Sequence, residues 1–90
     1  MREFKYVIMK LGSSETEVPI LFPMQINHSE ITFTDFGPCG IPVSAGMAQV
    51  YINTFEEISV STYGKSLTLK LESRPEDSDL IENMLSSSFV

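Results

Sequence analysis

Two polar junctions in the last third of the chain carry residues suited to binding an anion. Tyr63-Gly64-Lys65-Ser66 ends one apolar run, and Ser73-Arg74-Pro75-Glu76-Asp77 opens the strongest helix signal. Lys65 and Arg74 are two of only six basic residues, so cations are scarce in this sequence. An ammonium and a guanidinium beside hydroxyl groups and a helix start can together hold a phosphate or a carboxylate. The two junctions therefore predict a ligand site, provided that the fold brings them together.

The Gly64-Lys65-Ser66 triplet also has a simpler interpretation. A nucleotide-binding P-loop needs a glycine five positions before Gly64, and Ser59 occupies that position. The P-loop is therefore excluded. Because the triplet joins two predicted strands instead of leading into a helix, it is either a hairpin turn with a solvated Lys65 or a ligand contact.

Arg74 falls in the predicted first helical turn, where free backbone N–H groups and the helix dipole favour an anion. Its guanidinium could bind a phosphate or carboxylate through two hydrogen bonds. The alternative is an ion pair with a nearby carboxylate, and the candidates are Glu72, Asp77, Asp79 or an acidic residue of a partner subunit.

His28 is the only histidine and hence the only side chain whose ordinary pKa lies near neutrality. Ser29, Asp35 and Cys39 are close to it in sequence, but proximity in sequence does not establish the geometry of a catalytic triad. A structural or capping role is therefore favoured over catalysis.

Small residues at Ser44-Ala45-Gly46 leave room for a ligand or for close strand packing. Tyr63 adds a stacking surface. No catalytic residue, metal site or cofactor is predicted. The candidate ligand-binding residues are His28, Ser44, Tyr63, Lys65, Ser66, Ser73 and Arg74.

Composition narrows the class of protein. The net charge of -6, without any basic cluster, argues against binding long nucleic acids or membrane surfaces. Cys39 is the only cysteine, so it forms no intrachain disulfide and starts no zinc site. No apolar run approaches the roughly 20 residues of a membrane span, and the first residues lack the apolar region of a signal peptide. We expect a cytoplasmic protein.

Hydrophobic periodicity predicts the elements that position these residues. Period-two alternation indicates strands over 4–11, 16–22, 47–52, 58–63 and 67–72, with hairpin turns at 12–15 and 64–66. Pro19 confines the second strand to a sheet edge or a bulge. Residues 24–31 suggest a single helical turn, and the prolines and glycines of 32–42 a long loop.

The last element is a helix from about Arg74 to Ser86. Ser73 and Glu76 match a capping box, Pro75 suits the first turn, and an apolar stripe follows at Leu80, Ile81, Met84 and Leu85. The whole is a single α+β domain over 1–90, a mostly antiparallel sheet of five or six strands with one C-terminal helix packed on it. A core this small leaves apolar surface and sheet edges uncovered, which favours a homo-oligomer, most often a dimer.

Several segments, taken together, resemble an uncharacterised family of small bacteriophage and prophage proteins. They are the two polar junctions and Val18-Pro19-Ile20-Leu21-Phe22-Pro23, Asn27-His28-Ser29-Glu30 and Val43-Ser44-Ala45-Gly46-Met47. The resemblance implies a phage or mobile-element setting, in the cytosol of a host cell. Accessory proteins in that setting often counter host defence by sequestering a nucleotide signal or by blocking a defence protein. The resemblance implies no activity, cofactor or binding residue.

Three functions are therefore open. The first is a non-enzymatic, oligomeric protein that captures a small anionic, nucleotide-like ligand between subunits. The second is a protein-interaction module whose acidic surface, including Asp77 and Asp79, blocks a host defence protein. The third and weakest is a hydrolase that uses His28.

Overall fold

The computed structural model describes residues 1–11, 15–28, 40–55 and 57–88. Six strands and one helix are assigned within these ranges. They are β1 (Arg2–Leu11), β2 (Glu17–Phe22), β3 (Gly40–Ile52), β4 (Ile58–Tyr63), β5 (Lys65–Ser66), β6 (Leu71–Glu72) and α1 (Asp77–Ser88).

Four strands form an antiparallel sheet in the order β2-β1-β3-β4, and β5 and β6 form a separate two-stranded ribbon. The predicted α+β class, with its antiparallel sheet and C-terminal helix, is confirmed. The β1–β2 hairpin is confirmed as well, and it places Pro19 opposite Ile8 on an edge strand. A proline is tolerated there because an edge strand need not donate every N–H to a neighbour.

The large sheet is covered on both faces, which we name by what covers them. On the helix face, Tyr6 and Ile8 pack with Ala48 and Val60 under Ile81 of α1. Successive side chains of a strand point to opposite faces, so Lys5, Val7 and Met9 lie on the other side. This is the turn face, and its core of Val7, Met9, Phe22 and Ala45 packs against Ile26, Leu69 and Leu71.

β3 is longer than predicted, because Gly40, Ile41 and Pro42 also pair with β1. The prediction of a loop at these residues was wrong, since the ten-residue β1 offers pairing partners along its whole length. The register shifts between Ile8 and Met9, and this irregularity accommodates Pro42 next to it. Residues 32–39 of the predicted loop lie outside the described part of the chain.

The predicted hairpin around Gly64-Lys65-Ser66 was also wrong. Residues 67–70 form the turn, Leu67 is 78% exposed, and Lys65 and Ser66 pair with β6. The Ser66 hydroxyl accepts a hydrogen bond from the Leu69 N–H at 3.2 Å, which gives the backbone an alternative to a strand ladder. Gly64, at φ 77°, turns the chain away from β4, and Lys70 is left-handed at φ 57°.

The helix begins later than predicted. Asp77, not Glu76, reaches back, and its Oδ2 accepts the Arg74 N–H at 2.9 Å. This is only half of a capping box, one residue beyond the predicted Ser73/Glu76 pair, because Arg74 has no acceptor side chain and the Asp77 N–H donates to the Arg74 carbonyl oxygen instead. The stripe is confirmed, with Ile81 fully buried. Near the predicted turn at 24–31, the Ile26 N–H donates to the Pro23 carbonyl at 3.1 Å, and residues 29–31 lie outside the described ranges.

Candidate functional site

Arg74 is enclosed by carboxylates. Its Nε donates to Asp77 Oδ1 at 2.9 Å, and its terminal nitrogens donate to the two Glu17 oxygens at 2.8 and 3.4 Å. Asp77 is fully buried and also accepts the Tyr6 hydroxyl at 2.6 Å. The predicted ion pair with Asp77 is thus present, and Glu17 is a further partner.

These contacts leave the guanidinium little capacity for a ligand. The hydrogen bonds to Glu17 raise the pKa of Arg74, and in return they lower the pKa of Glu17. Burial, followed by the bond to Asp77, raises the pKa of Tyr6. The cluster joins β1, β2 and α1 and sets several carboxylates against one guanidinium, so an anion would have to displace a carboxylate to bind Arg74.

A different pair of cations faces open space. A cleft of about 250 Å³ lies on the turn face, and Lys5 of β1 and Lys65 of β5 both line it. Neither lysine forms an ion pair within the described residues. The other residues that line it are Asn27, His28, Met47, Ser66, Leu67 and Thr68. The cleft therefore combines hydroxyl groups with two ammonium groups that are unpaired in the described part of the chain.

His28 forms the inner wall of this cleft and is 5% exposed. Its Nε2 lies 3.0 Å from the Gly46 carbonyl oxygen, so Nε2 carries the proton and donates. The Phe22 ring meets the imidazole edge-on at 5.3 Å and fixes its orientation. Burial lowers the pKa of His28, and the positive charge of Lys5 acts in the same direction, against the Gly46 hydrogen bond.

The neutral imidazole leaves Nδ1 as a hydrogen-bond acceptor. This atom suits a ligand hydroxyl or amino group better than an anionic oxygen. No carboxylate contacts His28 among the described residues, so the geometry gives it no orienting partner of the kind a catalytic base requires.

The cleft hydroxyls are linked to each other. Ser66 Oγ is 3.2 Å from Thr68 Oγ1 and accepts the Leu69 N–H at the same distance. These bonds order the turn that carries Lys65, and Ser66 itself is almost completely buried. Thr68, which is exposed, is the more accessible hydroxyl.

The structure brings together three of the seven predicted site residues, namely His28, Lys65 and Ser66. Arg74 is elsewhere. Lys5 and Tyr6 are neighbours on one strand and point to opposite faces. Because Arg74 joins the Tyr6 cluster on the helix face, the sheet separates its guanidinium from the Lys5–Lys65 cleft.

The other three predicted residues do not line the cleft either. Tyr63 is exposed and donates its hydroxyl to Glu3 at 2.9 Å, which raises the pKa of Tyr63. The Ser73 N–H donates to the Gly64 carbonyl at 3.1 Å. Ser44 is fully buried, and its hydroxyl has no hydrogen-bond partner in the described part of the chain.

Close packing explains the small residues near Ser44. A Cβ on Gly46 would lie 2.6 Å from the Tyr63 carbonyl oxygen and 3.2 Å from Ser73 Cβ. Gly46 thus lets three segments meet, and its own carbonyl holds His28.

Sequence reasoning missed Lys5. A signal was present, since Lys5 precedes Val7 and Met9 on the same face of β1 and is a cation at the edge of an apolar row. Glu17 carried no such signal, because 57 positions separate it from Arg74.

We also looked for metal sites, membrane-spanning helices and similarity to known proteins. No group of three or more His, Cys, Asp or Glu side chains could hold a metal within the described residues. In the same part of the chain, no helix has both the length and the apolar character needed to span a bilayer. Comparison of the chain with known family models, curated proteins and solved structures gives no match.

Proposed function

We propose that this protein is a non-enzymatic binding module that captures a small anionic, nucleotide-like ligand in the Lys5–Lys65 cleft. In this proposal it is a homo-oligomeric accessory protein of the phage type, acting in the host cytosol as a sponge for a nucleotide signal. The binding site differs from the one expected from sequence, because Lys5 takes the place of Arg74.

One observation carries the proposal. In a chain of net charge -6, two lysines that have no carboxylate partner among the described residues line the same cleft. Of the six basic residues, Arg74 and Lys10 are already paired with carboxylates. An anion in the cleft would supply the counter-charge that the described residues do not.

The rest of the lining favours a ligand with both an anionic and a polar neutral part. The ammonium groups suit a phosphate, Thr68 can donate to it, and Nδ1 of His28 can accept from a sugar hydroxyl or a base amino group. The volume of about 250 Å³ is just below the roughly 300 Å³ at which pockets for drug-sized molecules begin. A mononucleotide would therefore fit only partly in the cleft.

Calorimetry and thermal shift with inorganic phosphate, AMP, ADP-ribose and a cyclic dinucleotide test the proposal. A ligand at 100 times its dissociation constant stabilises the folded state by about 2.7 kcal/mol. Lys5→Gln or Lys65→Gln should weaken binding about tenfold to a hundredfold, because each removes one charge-assisted hydrogen bond.

Lys70→Gln is the matched control. It removes the same charge from the adjacent turn, but Lys70 does not line the cleft. We expect less than about a twofold change, as for an exposed charge that is screened by salt. The proposal fails if none of the four compounds binds, or if Lys65→Gln and Lys70→Gln weaken binding equally.

The alternative of an acidic blocking surface loses one of its two named residues. Asp77 is fully buried in the Arg74 cluster, so only Asp79 of that pair is available at the surface.

A further inference from the structure

β4 is an edge strand without the features that usually protect one. It lies at one end of the four-stranded sheet, and its six residues include no charged side chain and no proline. Its pairing with β3 has no register shift. Natural proteins usually guard exposed edges with charges, prolines or bulges, because an open row of N–H and C=O groups pairs with other strands.

The opposite edge is guarded. β2 carries Pro19 in its middle and Glu17 at its start. No hydrogen bond from another segment reaches the outer edge of β4 in the described part of the chain. The β4 edge can therefore pair with a further strand more readily than the β2 edge.

We infer that β4 pairs with β4 of a second copy of this chain, antiparallel about a two-fold axis, and joins the two sheets into one. A second copy is the favoured occupant because β4 is complementary to itself and uncharged in a chain of net charge -6. This inference names the surface for the self-association that the proposed function includes. Dimerisation through β4 can be tested without a ligand.

The side-chain period fixes which registers are allowed. Paired residues of antiparallel strands point to the same face, so a residue must meet one an even number of positions away. With Val60 opposite its own copy, Ile58 meets Thr62 on the helix face and Ser59 meets Ser61 on the turn face. β-Branched pairs and serine pairs of this kind stabilise sheets. A register centred on Ser61 would instead place Ser59 opposite Tyr63.

Exposed apolar side chains lie at the same edge. Ile52, which pairs with Ile58, is 61% exposed, and Phe55 in the following loop is 83% exposed. Ile52 and Ile58 also line an apolar groove of about 280 Å³ beside Leu85. Because α1 packs mainly on β4, the two helices become neighbours in the joined sheet.

Charge pairs at the two exposed serines test the interface. In the Val60 register, residue 59 of one chain faces residue 61 of the other twice. Ser59→Glu/Ser61→Glu and Ser59→Lys/Ser61→Lys both place like charges opposite each other, whereas Ser59→Lys/Ser61→Glu places opposite charges there. Like charges directly opposite each other destabilise a sheet, and opposite charges stabilise it.

Sedimentation equilibrium of the ligand-free protein at micromolar concentrations measures the result. We expect the wild type and the Lys/Glu variant at twice the 10.1 kDa of one chain. Both like-charged variants should dimerise about tenfold more weakly. The Lys/Lys variant is decisive, because it reduces the net negative charge, and relief of overall repulsion alone would strengthen its dimer.

A monomeric wild type overturns the inference. So does a dimer that survives in both like-charged variants, or one that is lost in all three double variants. Since no ligand is present, these outcomes are distinguishable from a failure of anion binding at Lys5 and Lys65.

Discussion

Asp77→Asn should destabilise the protein far more than its small change in shape suggests. The fully buried carboxylate accepts hydrogen bonds from the Tyr6 hydroxyl at 2.6 Å and from the backbone N–H and Nε of Arg74 at 2.9 Å each. Asparagine keeps one oxygen, loses the charge and turns an amide donor toward groups that also donate. The Arg74 charge then relies on Glu17 at 2.8 Å and on the exposed Glu76 at 3.8 Å.

The expected cost follows from these contacts. Hydrogen bonds to charged groups contribute about 1.5–3 kcal/mol each, and removing one partner of a buried ion pair costs about 3–5 kcal/mol. Because the Arg74 side chain is 28% exposed and keeps Glu17, we expect about 3 kcal/mol. The unfolding free energy of a small domain is about 5–15 kcal/mol, so this loss is a large fraction of it. At about 4–8 °C per kcal/mol, it lowers the melting temperature by roughly 10–25 °C.

Urea unfolding followed by circular dichroism measures the difference, and Asp79→Asn is the matched control. Asp79 is exposed in the same first helical turn, so its loss removes only a helix-dipole interaction of less than about 1 kcal/mol. Tyr6→Phe combined with Asp77→Asn should cost less than the sum of the two, because both remove one shared bond. Equal losses for Asp77→Asn and Asp79→Asn would refute the reasoning.

Two further predictions concern the contact at Gly46. Gly46→Ala should lower the unfolding free energy by about 1–3 kcal/mol, because the new Cβ meets the Tyr63 carbonyl oxygen at 2.6 Å; an unchanged melting temperature contradicts this. Stability should also decrease as the pH falls below 6.5, the ordinary pKa of histidine. The pKa of His28 is lowered in the fold, so the unfolded chain takes up the proton first. NMR titration should give His28 a pKa below 6.5, and His28→Gln should remove this part of the pH dependence.

Local patterns in the sequence predicted the elements that follow one period throughout. The β1–β2 hairpin, β4 and the apolar stripe of α1 were found in this way. The alternating leucines of 67–71 were misleading, because the Ser66 hydroxyl and the left-handed Lys70 produce a turn that hydrophobic periodicity does not show. Pro42 led to the opposite error, a predicted loop where the structure has a strand, because the adjacent register shift lets a proline enter β3.

The candidate site was less predictable because it depends on contacts between distant residues. Lys5 and Lys65 line one cleft only because β5 packs against β3, the strand next to β1. Arg74 was predicted to bind an anionic ligand because helix N-termini favour anions. In the fold, however, the carboxylate of Glu17, 57 positions away in sequence, binds the Arg74 guanidinium.

The hydrogen bond between Tyr6 and Asp77 has a consequence for biosynthesis. It joins residues 71 positions apart, and four consecutive side chains of β1, Tyr6 to Met9, are fully buried in the finished fold. On the ribosome, β1 emerges before the strand and helix that cover it, so its apolar residues stay exposed to other nascent chains. Closing so large a loop before its contacts form is slow. Folding of this domain should therefore be complete only after α1 has been synthesised.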